Sequence, residues 1–498
     1  MDSTIAGTWQ ERAARLLFRN QAFIGGKFVD ALSGKRFDCV TPRDGSVLTQ
    51  VAECDAADVD AAVAAARKAF ETGVWRDAHP RQRRKVLLKL AQLMGENADE
   101  LALLETLDMG KPISDSRKID IPLSIRCVEY YAEAIDKIYD QVGPSGGDAM
   151  SLILREPLGV IGVVVPWNFP LMMAVWKLAP ALATGNSVVL KPAEQSPLTA
   201  LFLAELAVQA GLPAGVLNVV PGFGETAGQA IGRHMDVDML AFTGSTEVGK
   251  YFMRYSGESN LKRVSLECGG KSPHIILPDA PDLDRAAREA VGGIFFNQGE
   301  VCTAGSRLLV HESIKDEFLE LVTRHAARWT PGDPLDPKTT MGAMVDDRQH
   351  ARVLDYIAKG KAEGAALRLG GGAARTETGG FYIEPTLFDG VTNQMTIARE
   401  EIFGPVLSTI SFSSTEEAFR IANDTIYGLA AAVWTRDLST AMKAARAIRA
   451  GSVWINCYDG GDITTPFGGF KQSGFGRDRS LHALEKYTDL KSVWIDLS

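Results

Sequence analysis

The sequence predicts an α/β protein built on a doubly wound parallel sheet. Between Gly159 and Thr243, short β-branched runs alternate with apolar segments of helix length, as in parallel sheets covered by helices on both faces. A second block of the same alternation extends from His274 to about Phe470. A chain of 498 residues is too long for one hydrophobic core, so we expect two or three domains.

The region before the first alternating block is predicted to be different. Phe23–Val29 and Phe37–Thr41, joined by a turn that contains glycine, predict a short hairpin. Apolar residues at helical spacing then predict three helices, over Asp55–Thr72, Arg81–Leu107 and Asp120–Gln141.

The elements of the two blocks follow from β-branched runs and from apolar periodicity. The first block predicts strands and helices in the order Val160–Val165, helix Trp176–Ala183, Ser187–Leu190, helix Pro197–Ala210, Val216–Val220, helix Glu225–Gly232 and Met239–Thr243. The second predicts strand His274–Leu277, helix Pro281–Phe296, strand Arg307–Val310 and helix Ile314–Arg328. The tail Ser492–Leu497 alternates beyond this block, and we expect it to pair with another subunit.

Composition excludes several classes of function. The formal net charge is −9 and there is no long basic cluster, which argues against nucleic acid or an anionic membrane as partner. The six cysteines are scattered without a CxxC pair, which is typical of reduced thiols, so a cytoplasmic location is expected. The seven histidines form no HExxH motif and no cluster with cysteine, so no metal is predicted.

Neither a signal peptide nor a membrane span is predicted. Met1–Gln10 is polar and has no apolar signal core. Leu158–Ala183 is the longest apolar region, but prolines, Asn168 and Lys177 interrupt it. It predicts a buried strand that leads into a helix.

Cys302 is the strongest candidate for chemistry. It lies among small residues in Phe295–Arg307, where a ligand can approach the sulfur closely. Because a thiolate is a strong nucleophile toward carbonyl carbon, this setting predicts covalent catalysis. The alternative is a buried structural cysteine, since free cysteine is among the most buried residue types.

Two glycine-rich stretches come close to a phosphate-binding loop without completing it. Gly244–Lys250 fits the first seven positions of a P-loop, but Tyr251 stands where Mg²⁺ needs a hydroxyl. Gly270-Lys271-Ser272 lacks the leading glycine. An NTPase is therefore not predicted, although Phe242–Ser245 ends a strand and starts a helix whose N–H groups suit a pyrophosphate.

Six segments, in order along the chain, closely resemble the NAD(P)-dependent aldehyde dehydrogenases. They are Pro166–Pro170, Lys191–Glu194, Leu266–Lys271, the Cys302 stretch, Glu400–Pro405 and Pro466–Gly474. The resemblance extends from about Phe23 to Trp494. It implies an NAD-binding Rossmann-type domain at 1–138 and 160–267, a catalytic domain at 268–470, and a small β oligomerisation element at 139–159 and 471–498. A homodimer or homotetramer is implied as well.

The resemblance also implies the catalytic roles. Cys302 would attack the aldehyde carbon, and Asn168 would stabilise the oxyanion together with the Cys302 N–H. Glu267 matches the general base that activates water, and Glu485 is a second candidate for proton relay. Taken alone, Asn168 would be a turn residue and Glu267 a solvated charge.

For the cofactor, the resemblance implies NAD, with NADP less preferred because the Glu194 carboxylate should repel a 2′-phosphate. Lys191 and Glu194 would hold the adenosine ribose, and Glu401 the nicotinamide ribose. The full predicted cofactor set is Val165, Pro166, Trp167, Lys191, Glu194, Gly224, Phe242, Gly244, Ser245, Val248, Glu401 and Phe403.

The implied partner is a small-molecule aldehyde. Its predicted site comprises Phe169, Met173, Trp176, Phe296, Val301, Thr303, Asp459, Asp462 and Phe467. Asp459 and Asp462 follow Trp454 and Tyr458, so an aldehyde with a distal ammonium would be attracted to them. Alternatively, both aspartates cap loops in solvent.

Within the family, the loop Trp454–Asp462 and the tail Arg477–Lys486 most resemble the subgroup that oxidises γ-glutamyl-γ-aminobutyraldehyde in putrescine catabolism. We therefore predict oxidation of γ-glutamylaminobutanal or another ω-aminoaldehyde. A betaine-aldehyde type and a broad aliphatic type remain as alternatives. The chain departs from the family at Cys268, where leucine is commoner, and at Glu300, where glutamine is commoner and which we expect to point away from Cys302.

Overall fold

The fold is α/β, as the sequence predicts. The computed structural model describes residues 7–498. Residues 1–6, which are part of the segment predicted to contain no signal peptide, lie outside the described residues. Two large sheets, of eight and seven strands, form the framework. Within the described residues, no helix is long and apolar enough to cross a bilayer.

The N-terminal region contains two hairpins and a group of helices. Its elements are α1 Trp9–Ala13, β1 Ala22–Ile24, β2 Lys27–Val29, β3 Arg36–Val40, β4 Val47–Ala52, α2 Ala56–Glu71, α3 Pro80–Glu96, α4 Ala98–Met109, α5 Ile113–Asp115 and α6 Ile121–Ala134. The single predicted hairpin is wrong, because β1 pairs with β2 and β3 pairs with β4.

Two of the predicted N-terminal helices have the wrong extent. The helix predicted over Arg81–Leu107 is divided at Asn97, whose side-chain amide donates to the Leu93 carbonyl at 2.8 Å and so ends α3. The third helix ends well before Gln141, because residues 141–143 pair in a sheet instead. The spacing of apolar residues predicts neither the division of the helix at Asn97 nor the early end of the third helix.

The next elements are two strands of a three-stranded sheet, followed by the first alternating block. They comprise β5 Gln141–Gly143, β6 Ala149–Pro157, β7 Val160–Val164, α7 Pro170–Ala183, β8 Ser187–Lys191, α8 Leu198–Gln209, β9 Leu217–Val219, α9 Gln229–Arg233, β10 Met239–Thr243, α10 Thr246–Gly257 and β11 Arg263–Glu267. These bounds confirm the predicted alternation to within a few residues, except that α7 already begins at Pro170.

The second block contains the elements β12 Pro273–Ile276, α11 Leu283–Phe295, β13 Arg307–His311, α12 Lys315–Ala326, α13 Asp347–Ala362, β14 Ala366–Leu369, β15 Ala373–Ala374, β16 Tyr382–Ile383, β17 Thr386–Asp389, α14 Thr396–Arg399, β18 Val406–Phe412, α15 Thr415–Asn423, β19 Ala430–Trp434, α16 Leu438–Ala447 and β20 Ser452–Ile455. Two strands follow this block: β21 Gly474–Phe475, which pairs with β11, and β22 Thr488–Asp496. The proposed boundary at residue 267/268 lies between β11 and β12, which belong to different sheets.

Sheet topology places the site. The first sheet has the order β2-β1-β9-β8-β7-β10-β11-β21, and its strands from β9 to β11 are parallel. The strand order reverses between β7 and β10, and ligands of such sheets bind at the carboxyl ends of the strands at this switch point. The second sheet has the order β14-β17-β18-β13-β12-β19-β20.

The C-terminal tail belongs to a separate three-stranded sheet of order β22-β6-β5. Strand β22 pairs antiparallel with β6 of the same chain, from Thr488 opposite Pro157 to Asp496 opposite Ala149. Only the other edge of β22 is thus available to another subunit, because within residues 7–498 no strand pairs with it. The prediction that the tail pairs with another subunit is therefore corrected in part, because one edge of β22 pairs with β6 of the same chain.

Candidate active site

One cavity of about 400 Å³ collects most of the predicted site residues. It lies at the carboxyl ends of β7 and β10, where the sheet order reverses. Its wall includes Pro166, Trp167, Asn168, Phe169, Met173, Trp176, Gly244, Ser245, Phe296, Val301, Cys302, Thr303, Glu401, Phe403, Asp459, Asp462 and Phe467. Val165, Phe242, Gly224, Val248, Lys191, Glu194, Glu267 and Glu485 are not part of this wall.

Asn168 is tied to the Cys302 loop rather than serving as a simple turn residue. It follows β7 and is buried, with a side-chain amide that donates to the Glu300 carbonyl at 2.9 Å. Asn297 donates to both the Asn168 and the Glu300 carbonyls at 3.1 Å. Because an amide nitrogen carries two hydrogens, Asn168 retains a second N–H for a ligand in the cavity.

The loop that carries Cys302 has an unusual backbone. Asn297 and Gln298 have φ values of 49° and 57°, and Gly299 follows at 75°. A Cβ at Gly299 would lie 2.3 Å from the Gly404 carbonyl, so only glycine fits there. Residues held in such sparsely populated conformations cluster at functional sites. Here they aim residues 301–303 into the cavity.

The Cys302 thiol is partly accessible from the cavity. Burial raises its pKa above the ordinary value, and the Glu401, Asp459 and Glu267 carboxylates act in the same direction. The free thiol is therefore neutral at pH 7. Nucleophilic attack by this sulfur requires a base or a nearby positive charge.

Glu267 ends β11 and lies just behind the cavity wall. Its carboxyl is 2 % exposed, and neither oxygen has a hydrogen-bond partner within residues 7–498. Burial raises its pKa well above the usual range, and the charge of Asp478 adds to this effect. A Cβ at Gly468 would lie 2.8 Å from Glu267 Oε1, so glycine leaves room for the carboxyl.

Asp478 is the centre of a buried charge cluster beside Glu267. Its Oδ2 lies 2.8 Å from Lys177 Nζ, and its other oxygen accepts from Lys486. The two lysines lower the pKa of Asp478 although burial opposes this, so the carboxylate stays charged. Sequence reasoning named neither Lys177 nor Asp478 as part of the site.

Glu485 does not reach this cluster. Its side chain is 68 % exposed and lies 3.6 Å from His482. The relay role predicted for Glu485 is therefore corrected. Its neighbour Lys486, which the sequence did not single out, points inward to Asp478.

Lys191 and Glu194, on the adenosine side of the predicted cofactor site, lie beyond the cavity wall, and Ser245 is part of it. Lys191 Nζ donates to the Pro192 carbonyl at 2.7 Å and to Glu194 Oε2 at 3.2 Å. Ser245 caps α10, its Oγ accepting from Val248 N at 3.2 Å. An amino group, a carboxylate and a helix N-terminus together suit ribose hydroxyls and a pyrophosphate.

On the nicotinamide side, Glu401 is held by the Gly270 N–H, which donates to its Oε1 at 2.9 Å. Burial raises the pKa of Glu401 to about 7. A Cβ at Gly269 would lie 1.9 Å from Glu401 Oε2, so the backbone must approach this carboxyl without a side chain. Trp167 and Phe403 pack edge-on beside it, with ring centroids 5.2 Å apart. These residues fit a dinucleotide that ends near Cys302.

The predicted substrate walls are aromatic. Phe169 and Phe296 stack with centroids 6.2 Å apart, and Trp176 and Phe467 meet edge-on at 5.1 Å. Helix α7 supplies Trp176 and Met173, and it is buried on nearly all sides. The walls are therefore rigid, and they suit an apolar stem.

The two predicted aspartates of the mouth differ. Asp459 is exposed to the opening, yet desolvation by the surrounding protein raises its pKa to about 6, with Arg479 acting in the opposite direction. Asp462 instead accepts from Thr464 N at 3.0 Å, and this contact lowers its pKa. The loop-cap alternative thus holds for Asp462, while Asp459 stays free to meet a ligand.

Four further polar residues of the wall were missed by sequence reasoning. They are Arg126, Gln349, Arg352 and Arg479. The first three lie on α6 and α13, far from any recognised motif, and no local signal identifies them. Arg479 lies in the tail that carries the subgroup resemblance, and its proximity to the predicted aspartates was the signal available.

The two departures from the family pattern have clear positions. Glu300 Oε1 accepts from Val345 N at 3.1 Å, so its side chain turns away from Cys302, as expected. Burial raises the pKa of Glu300 well above the usual range. Cys268 is 4 % exposed on the cavity wall.

Comparisons with known proteins identify the family of this chain. The model of the aldehyde dehydrogenase family matches residues 28–493. The chain is 52 % identical over 489 residues to the NADP/NAD-dependent aldehyde dehydrogenase PuuC of Escherichia coli, covering 98 % of each chain. Two solved structures, each with a TM-score of 0.97, cover 98 % of this chain and 99 % of their own. One is an indole-3-acetaldehyde dehydrogenase with NAD⁺ at 60 % identity, and the other is the γ-glutamyl-γ-aminobutyraldehyde dehydrogenase of Burkholderia cenocepacia at 59 %.

Proposed function

This chain belongs to the aldehyde dehydrogenase family, and we propose that it oxidises ω-aminoaldehydes, γ-glutamylaminobutanal foremost, to their carboxylic acids. The observation that carries the proposal is one cavity that contains both the Cys302 thiol and the free Asp459 carboxyl. A carbonyl at the thiol and an ammonium at the carboxyl would occupy the two ends, with an apolar stem between the aromatic walls.

In the proposed reaction, the Cys302 thiol releases its proton to solvent, and its sulfur bonds to the aldehyde carbon as the carbonyl π bond opens, which forms a thiohemiacetal oxyanion. The Asn168 amide and the Cys302 N–H donate to the developing oxyanion, and one such donor is worth about 3–4 kcal/mol of barrier. NAD⁺, when bound, supplies the acceptor for the hydride that leaves this carbon. A thioester on Cys302 results.

Glu267 would then activate water. The carboxylate is close enough to Cys302 to raise the pKa of its thiol, and the raised pKa of Glu267 makes its charged form a stronger proton acceptor. Attack of the activated water on the thioester releases the acid and returns the thiol. The buried Asp478 is part of the reason why this carboxyl is basic.

We further propose that NAD⁺ is preferred to NADP⁺. Glu194 beside Lys191 would accept from ribose hydroxyls, and its charge would oppose a 2′-phosphate. PuuC is named for both coenzymes, so the comparison of kcat/KM for NAD⁺ and NADP⁺ is the test. Glu194→Gln should bring the kcat/KM for NADP⁺ closer to that for NAD⁺. Equal kcat/KM values for the two coenzymes in the wild type would contradict the preference.

A second candidate is a broad enzyme for neutral aldehydes. The aromatic walls favour it, and one similar structure is named for indole-3-acetaldehyde. The discriminating experiment measures NADH absorbance with matched aldehydes: butanal, 4-aminobutanal, γ-glutamylaminobutanal, betaine aldehyde and indole-3-acetaldehyde. We expect the highest kcat/KM for γ-glutamylaminobutanal. Equal values for butanal and the aminoaldehydes would favour the broad enzyme instead.

We also propose a homodimer or homotetramer assembled through the free edge of β22. Leu490 and Trp494 are exposed on this strand, and an uncovered edge strand with apolar side chains is an uncommon surface for a monomer. Light scattering after size exclusion gives the mass. A monomer at micromolar concentration would contradict the proposal.

A further inference from the structure

The mouth of the cavity carries a positive charge that the aminoaldehyde proposal does not use. Arg479 lines the wall beside Asp459 and Asp462. An ammonium alone would gain nothing from this guanidinium, which would repel it. The presence of opposite charges at one opening therefore calls for a ligand with both signs.

Arg479 is held firmly in place. Arg479 and Ser480 have φ values of 60° and 50°, a conformation that such residues rarely adopt. The Ser480 N–H donates to the Ile463 carbonyl at 2.7 Å, and the Tyr131 hydroxyl donates to the Ser480 carbonyl at 3.0 Å. Next to it, Asp478 is fixed by the buried ion pair with Lys177. The backbone thus presents the arginine at the opening without freedom to withdraw.

The guanidinium lies near the Asp459 and Asp462 carboxylates, whose charges act on its pKa, but it is not paired directly with either. It lies over the Trp176 ring at 5.5 Å, and its Nη2 donates to the Asp462 carbonyl and, at 3.5 Å, to Thr465 Oγ1. No carboxylate among residues 7–498 forms an ion pair with it, and its Nε and Nη1 donors have no acceptor there. A guanidinium stays charged in proteins, and its fork matches a carboxylate.

The other arginine of the mouth has a different environment. Arg126 Nη1 lies 3.5 Å from Glu133 and 3.9 Å from Glu129, and its side chain is 46 % exposed. Its charge is therefore already matched on its own helix. Of the two, only Arg479 lacks an ion pair among residues 7–498.

We propose that Arg479 binds a carboxylate on the distal end of the substrate, so that the preferred aldehydes carry a zwitterionic head of the α-amino-acid type. The ammonium of that head would lie at Asp459 and its carboxylate at Arg479. The aldehyde would extend past Trp176 and Phe169 to Cys302. This inference rests on the proposed aminoaldehyde function and specifies the substrate class within it.

The test compares γ-glutamylaminobutanal with its α-methyl ester, which keeps the ammonium and removes the negative charge. In the wild type, kcat/KM for the acid should exceed that for the ester by about 10- to 100-fold, as expected for hydrogen bonds to a charged group. Arg479→Gln should abolish this ratio through KM, and Arg479→Lys should restore part of it. Arg126→Gln, which removes the same charge from the same opening, should retain it.

Three results would overturn the inference. The first is a ratio of kcat/KM for the acid to kcat/KM for the ester that is near one in the wild type. The second is an unchanged ratio in Arg479→Gln. The third is an equal fall of the ratio in Arg126→Gln, which would indicate that the overall positive charge of the opening, and not Arg479 itself, attracts the carboxylate. Thermal unfolding of each variant verifies that it is folded. If acid and ester are both oxidised better than butanal but equally well, the aminoaldehyde function stands and only the role of Arg479 is wrong. If neither exceeds butanal, the aminoaldehyde function itself is wrong.

Discussion

The two ends of the active-site cavity are built in different ways. At the inner end, Asn168 and Glu267 are buried next to strand ends, and Cys302 lies on a loop fixed by three consecutive positive φ values. At the outer end, Asp459 and Arg479 come from two separate loops that are partly open to solvent. The residues of the inner end belong to short sequence motifs, whereas the charges of the outer end are brought together by the packing of loops.

This difference separates chemistry from specificity. The inner groups are desolvated, and burial raises the pKa values of both Cys302 and Glu267. A raised pKa suits Glu267 as a base, whereas the neutral Cys302 thiol must still lose its proton to react. The outer charges are more exposed, so each interaction there is weaker and screened. Substitutions at the inner end should therefore act on kcat for every aldehyde, and those at the outer end on KM for some aldehydes.

Removal of the nucleophile should have the largest effect. Cys302→Ala should lower the rate of NADH formation by at least about 10³-fold, because it removes the thiol that forms the covalent adduct. Absorbance at 340 nm measures this, and mass spectrometry during turnover should find no acyl adduct on the variant. The matched control is Cys268→Ala on the same wall, which should remain active. Wild-type turnover by Cys302→Ala would remove the basis of the mechanism.

Replacement of the base should separate two steps. Glu267→Gln should lower steady-state turnover by about 10²- to 10⁴-fold, because water is no longer activated, while a stoichiometric burst of NADH remains. Since the pKa of Glu267 is raised and its charged form is the base, wild-type turnover should rise with pH through that pKa. The variant should lose this rise.

Stopped-flow absorbance from acid to alkaline pH tests both statements. Glu300→Gln, a second buried carboxyl that turns toward Val345, is the control and should retain the wild-type profile. An unchanged pH profile in Glu267→Gln would assign the base to another residue.

Loss of the oxyanion donor should come next. Asn168→Ala should lower kcat by about 10²- to 10³-fold with little change in KM, for neutral and cationic aldehydes alike. Steady-state kinetics with butanal and 4-aminobutanal measures this. An increase in KM without a decrease in kcat would instead assign Asn168 to substrate binding. It would contradict the expectation that substitutions at the inner end act on kcat.

The smallest effect is expected at the mouth. Asp459→Asn should raise KM for 4-aminobutanal about tenfold, because one hydrogen-bonded charge is lost, and leave butanal unaffected. As the pKa of Asp459 is about 6, KM of the wild type for the ammonium substrate should rise as the pH falls below that value. Asp462→Asn, which loses a turn cap, should affect both aldehydes alike. Equal effects of Asp459→Asn on both aldehydes would contradict its role.

Much of this protein is determined by its sequence. The alternating blocks predict both sheets, since the side-chain periods of strands and helices are local properties. The motifs around Asn168, Glu267 and Cys302 predict the reacting groups, because their backbone requirements are met within a few residues, as at Gly299.

Tertiary structure decided the rest. Local spacing gives no information on where β3 pairs, on the end of the helix at Asn97, or on the inward turn of Lys486 in place of Glu485. It also could not distinguish Asp459 from Asp462 or identify Arg479 as a cation without an ion-pair partner among the described residues. The physical reason is that a charged side chain acquires its role from the groups that surround it in space, and only the folded chain brings these groups together.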